Sequence, residues 1–157
     1  MTEAIENATT EEALTIVRHN TYWAAGVGII PVPFIDFVGI SVVNVKMLRE
    51  LAMHYDVPFN EHLGKSVLTA LLGGVMGPTL AYGSLGMALR SIPGIGQLFH
   101  MVAGPVMAGA VTYAVGKVFT VHFGTGGNLF NFDPETFQEY FKQQLEDGVS
   151  VSEGATA

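Results

Sequence analysis

Apolar and polar positions fall in long blocks along this chain, and the blocks predict helices joined by proline-rich breaks. Residues 11–30 begin polar, carry Arg18 and His19, and turn apolar from Tyr22 onward. Pro31-Val32-Pro33 interrupts them, because proline has no amide donor and a fixed φ. A second helix is expected over about residues 34–55, apolar through Val45 apart from Asp36, Ser41 and Asn44, then amphipathic through Lys46, Arg49 and Glu50. The apolar arms 21–30 and 34–45 are only about 10 to 12 residues long, the range of a re-entrant or interfacial segment. This first hairpin is therefore expected to dip into a membrane without crossing it.

The next two blocks are longer. Lys65, Arg90 and Lys117 are the only formal charges in residues 62–132, which leaves 66–89 and 91–116 uncharged. As helices these reach roughly 36 and 39 Å, beyond the ~30 Å of a bilayer core. Within residues 67–89 the polar residues are Thr69, Thr79, Tyr82 and Ser84, so the run has no charged face. A buried helix pair inside a soluble oligomer is the competing explanation. Arg90-Ser91-Ile92-Pro93-Gly94-Ile95-Gly96 separates the runs and favours a turn. A spanning helical hairpin is expected, of residues 67–89 against 97–116.

Ile30-Pro31 through Phe37 aligns with Ile92-Pro93 through Phe99, 62 residues later, which suggests a weak internal repeat of the two hairpins. Their tips carry Pro31, Pro33 and Asp36 in the first and Arg90, Pro93, Gly94 and Gly96 in the second. Asp36 is the one acid in an apolar stretch, a functional candidate if submerged and an ordinary solvated acid if the tip faces water. Arg90 is its natural counter-ion. Small residues spaced by four, Gly73 with Gly77, Ala70 with Gly74, and Gly104 with Ala108, mark helix packing or an oligomer interface, because close backbone approach is what joins helices in lipid.

After the glycine turn 124–127 comes a further helix. Asp133 is placed as its N-cap, Pro134 at its first position, and Gly148 as its stop. Phe137, Tyr140, Phe141 and Leu145 form its apolar face, to dock on the protein or on a neighbouring copy. The expected organisation is an acidic segment 1–10, a membrane-embedded hairpin domain 11–127, an amphipathic helix 128–149 and a disordered tail 150–157. The fold class is an all-α membrane protein of two helical hairpins, one shallow or re-entrant and one transmembrane, plus that C-terminal helix.

Composition sharpens this. Only 13% of the 157 residues are charged and 49% are hydrophobic, against about 25% charged in an ordinary soluble domain. A net charge of -7 gives no basic face for nucleic acid, and the absence of cysteine removes disulfides and thiolate chemistry. If both tips point the same way, Arg18, Lys46, Arg49, Lys65, Lys117 and Lys142 share the side of the termini and Arg90 lies opposite, which predicts cytoplasmic N and C termini. The acidic first twenty residues do not resemble a secretory signal.

Candidate chemistry is sparse. His19, His54, His62, His100 and His122 lack helical pairing, so no metal site is expected, and no cofactor or catalytic residue either. The glycine turn lacks the lysine and spacing of a phosphate loop.

Gly28-Ile29-Ile30-Pro31-Val32-Pro33-Phe34-Ile35-Asp36, the Lys46-Met47-Leu48 helix, Arg90-Ser91-Ile92-Pro93-Gly94-Ile95-Gly96 and the run Ala108-Gly109-Ala110-Val111-Thr112-Tyr113-Ala114-Val115-Gly116-Lys117 occur in that order. Together, over about residues 12–127, they resemble domain-of-unknown-function family 697. That resemblance implies a bacterial membrane-associated helical domain, often attached to or near Era-like GTPases, with no established enzymatic activity and no catalytic residues to carry over. This chain would be a version without a GTPase domain. The leading expectation is a non-enzymatic inner-membrane protein that binds lipid, forms homo-oligomers and scaffolds or curves the membrane. The alternatives are a membrane adaptor for a separately encoded Era-like GTPase, and an oligomeric pore in which Asp36, Arg90 and His100 line a path.

Overall fold

The structure is a computed structural model that describes residues 10–27, 35–81 and 95–156, with side-chain surroundings for 10–26, 41–74 and 105–154. Five helices follow one another: α1 (Glu11–Val27), α2 (Ile35–His54), α3 (Glu61–Ala81), α4 (Ile95–Gly124) and α5 (Pro134–Thr156). The chain is all-α, as the block pattern predicts.

Local chemistry sets the helix ends. Thr10 caps α1 by accepting the amide of Ala13 at 3.1 Å, Asn60 caps α3 through Leu63 at 3.1 Å, and Asp133 caps α5 through Glu135 at 3.1 Å. α2 ends where the Val57 amide reaches back to the Ala52 carbonyl at 2.8 Å while Asp56 takes φ 55°. α4 ends the same way, with Gly127 bonded to His122 at 2.8 Å and Gly126 at φ 93°. Both are left-handed stops, and only the second carries the usual glycine.

α4 is the central helix. It packs most extensively on α5 and α1 and also on α2, while α3 rests on α2 and α5. Val17 of α1, Met47, Leu48 and Leu51 of α2, Leu71 of α3, Val115, Val118 and Phe119 of α4 and Phe141 of α5 are fully buried in one core.

Two expectations are corrected here. α3 and α4 hardly touch among the described residues, so no close-packed pair of 67–89 with 97–116 is formed there. At Gly109 and Gly116 the space beside α4 is taken by other neighbours. A Cβ on Gly116 would stand 2.7 Å from Val17 and 3.0 Å from Met47, and Gly109 meets Ser152 and Ala25. The second correction concerns Gly148, which does not stop the last helix: α5 continues to Thr156, including most of the expected disordered tail. Gly148 is instead a contact point, since a Cβ there would lie 2.7 Å from the Ala110 carbonyl oxygen.

Candidate membrane-facing site

Contacts between helices give the bundle two distinct ends. Thr10 and His54 meet at 3.0 Å, and His122 packs edge-on against Phe137 at 5.5 Å, which marks one end. Moving along the bundle, Asn20 donates to Glu50 at 2.7 Å and accepts from Lys46 at 3.3 Å. Asn44 then donates to Thr112 at 3.2 Å, and Ala25, Gly109 and Ser152 come together at the far end. α1 and α5 therefore run antiparallel to α4, and α2 runs parallel to it.

Four exposed large apolar side chains gather toward that far end: Tyr22 (51% exposed), Trp23 (59%), Val42 (62%) and Met107 (40%). They come from α1, α2 and α4. From this end the chain leads into the apolar residues 28–34 and returns through residues 95–104. Tyrosine and tryptophan suit such a level when it meets a membrane surface, because their rings are apolar and their tips polar. Trp23 is the single tryptophan of the chain, and its indole donates to His19 at 3.1 Å.

Elsewhere among the described residues the exposed large apolar side chains are Met53 (68% exposed) and Phe130, at the opposite end. Among the described residues one stretch, Pro105–Gly124, is long and apolar enough to cross a membrane by length and composition, yet 78% of its most apolar window is buried inside the protein. α5 covers it and exposes Glu139, Lys142, Glu146, Asp147 and Glu153 on its outer side. Between α5 and α4, Tyr140 is half-buried, and its hydroxyl is pushed up to about 12, first by burial and then by Tyr113 and Asp147.

The opposite end holds an aromatic cluster. His122 is buried among Phe119, Phe123, Phe132 and Phe137 and bonds the Asn128 carbonyl at 2.9 Å. Beside it Phe130 stands 81% exposed at the rim of a shallow groove of about 390 Å³ that Asn60, His62, Leu63 and Ser66 also line.

The expected tip residues Pro31, Pro33, Arg90, Pro93 and Gly94 lie outside the described residues. Asp36 and Gly96 fall on the helical backbone of α2 and α4, and Gly77 and Gly104 on that of α3 and α4, with side-chain surroundings outside the described set. Of the expected packing residues, Ala108 is buried, Gly74 faces Gln138 of α5, and Ala70 and Gly73 are exposed, Gly73 with no neighbour to meet a Cβ. On the expected docking face Phe141 is fully buried, and Phe137, Tyr140 and Leu145 pack on the same core of their own chain. The buried rung of Asn20, Asn44 and Thr112 and the Tyr113–Lys117 face were not singled out from sequence. Asn20, an amide one residue before an apolar block, was the available signal.

No solved structure matches this chain. "Magnetosome membrane protein 22" of Magnetospirillum gryphiswaldense is 40% identical over 145 residues, covering 89% of this chain and 72% of that protein. The family model described as a domain of unknown function, DUF697, matches residues 2–148. The motif order read from the sequence and a match over nearly the whole chain lead to one assignment: the chain belongs to the DUF697 family.

Proposed function

We propose that this protein is a non-enzymatic protein of the bacterial inner membrane that self-assembles on the cytoplasmic side and scaffolds or curves the bilayer. The observation that carries this reading is the level of Tyr22, Trp23, Val42 and Met107, from which the chain continues into the uncharged residues 28–34. In this reading those residues enter the lipid while the charged outer face of α5 stays in water. The 40% identical relative is named a membrane protein, which supports the same placement. Pro105–Gly124 then serves as the core helix of the bundle, since the exposed charges of α5 beside it would be costly within hydrocarbon. Apolar segments that enter from one face add volume mainly to one leaflet, and repetition over an oligomer multiplies that asymmetry. Ala70 and Gly73, exposed on α3, offer a face for a second copy.

Trp23 provides the test. Mixed with lipid vesicles, the full chain should show blue-shifted fluorescence that lipids brominated near the headgroup quench more strongly than lipids brominated near the chain end. Unchanged emission would reject the placement. Electron microscopy of the same vesicles tests the shaping: tubules or narrowed vesicles are expected together with oligomers in solution sizing, and undeformed vesicles carrying monomers would refute it.

A further inference from the structure

We propose that Arg18, Tyr113, Lys117 and Tyr140 form a binding site for a singly charged phosphate diester, the group carried by anionic lipids, where α1, α4 and α5 pack together. Its geometry follows from the register of α4 and α5. Gly148 lies against Ala110 and Phe141 is fully buried, which sets α5 antiparallel on the part of α4 that carries Tyr113 and Lys117, one helical turn apart, with Tyr140 and Asp147 on the facing stretch of α5. Tyr113 and Lys117 both feel the charges of Arg18 and Asp147, and Tyr140 feels Tyr113 and Asp147. Tyr113, Lys117 and Tyr140 are half-buried, with Arg18 exposed at the edge.

Lys117 differs from the other lysines of the protein, and from Arg49, which among the described residues also lacks a carboxylate partner but is exposed. Lys46, Lys65 and Lys142 each have a carboxylate within 4.0 Å on their own helix. Among the described residues neither Lys117 nor Arg18 has one, and the hydroxyls of Tyr113 and Tyr140 have no described hydrogen-bond partner. A half-buried ammonium loses hydration without gaining a bonded anion, a cost that an incoming oxyanion would offset. Arg18 and Lys117 against Asp147 leave one net positive charge, which suits a diester better than a doubly charged monoester. The two phenols and two cations are all donors to phosphate oxygens.

The depth fits as well. Tyr113 and Lys117 lie six and ten residues from Met107, roughly 9 and 15 Å along α4. With the aromatic level at the membrane surface, these side chains stand at headgroup depth. The site thus rests on the membrane placement proposed above, and the test separates the two.

Partitioning of the full chain is read by Trp23 with vesicles of phosphatidylcholine alone and with added phosphatidylglycerol. The unmodified protein should bind both, and the mixed vesicles about tenfold more tightly, equal to 1.4 kcal/mol. Lys117→Gln and Tyr140→Phe should keep binding to phosphatidylcholine and lose most of the preference, whereas Lys65→Gln, which removes an equal charge elsewhere, should keep it. Equal loss in Lys65→Gln and Lys117→Gln would overturn the site in favour of bulk charge. Lys117→Arg, which preserves the cation, should restore the preference and excludes misfolding as the cause. Melting with soluble glycerophosphoglycerol and with inorganic phosphate distinguishes the sources of the group. Stabilisation by the former, absent in Lys117→Gln, supports a headgroup site, and stabilisation by inorganic phosphate alone overturns it. If no vesicle is bound by any variant, the membrane placement fails, and the glycerophosphoglycerol melt still decides the site, with no stabilisation of the unmodified protein counting against it.

Discussion

Two glycines on one helix should respond to the same substitution with opposite signs. In a helix interior, Gly→Ala gains about 1 kcal/mol, because alanine loses less backbone freedom on folding. At Gly154 a Cβ meets nothing within 4 Å, so Gly154→Ala should stabilise by up to about 1 kcal/mol. At Gly148 the same methyl would sit 2.7 Å from the Ala110 carbonyl oxygen and 2.9 Å from its Cα. Carbon contacts settle near 3.5–4.0 Å, and here the obstacle is backbone, which no rotamer change can clear. α4 and α5 must therefore move apart, against the packing of buried Phe141. Overpacking of this kind costs about 1–3 kcal/mol, so after the propensity gain Gly148→Ala should be destabilising by up to about 2 kcal/mol. At a shift of roughly 2–4 °C per kcal/mol for a chain of this size, the two variants should melt several degrees apart on either side of the parent. Far-UV circular dichroism melts in one common detergent measure this. Stabilisation by both substitutions would refute the close approach of α4 and α5, and no response at Gly154 would refute a helical C-terminus.

Other substitutions probe the core, the polar rung and the tyrosine. Phe141→Ala should cost about 3–5 kcal/mol and release α5 to limited proteolysis, since the ring is fully buried. Thr112→Val keeps the shape and removes one partner of the Asn44 amide, so denaturant titration should show a loss of about 1–3 kcal/mol. Tyr140 ionises near 12 when folded and near 10.0 when unfolded, so the unfolded chain releases its proton first. Stability should therefore fall as pH rises from about 10 toward 12, and Tyr140→Phe should flatten that slope in alkaline melts.

The sequence alone determined that this chain is built of helices and where the last of them starts. Block hydropathy and the cap of Asp133 and Pro134 are local, and local chemistry acts wherever the chain later goes. The aromatic face of the last helix was legible for the same reason. Only the tertiary structure decided which surfaces meet. The glycines of α3 and α4 permit close approach without naming a neighbour, and among the described residues α4 meets Val17, Met47, Ser152 and the backbone at Gly148 rather than α3. Gly148 looked like a helix stop because glycine favours the left-handed turn, but its missing side chain also lets two backbones come close, and α5 runs on to Thr156. The proposed site of Arg18, Tyr113, Lys117 and Tyr140 joins residues up to 122 positions apart. No periodicity along one helix encodes such a meeting, because it is fixed by how three helices pack together.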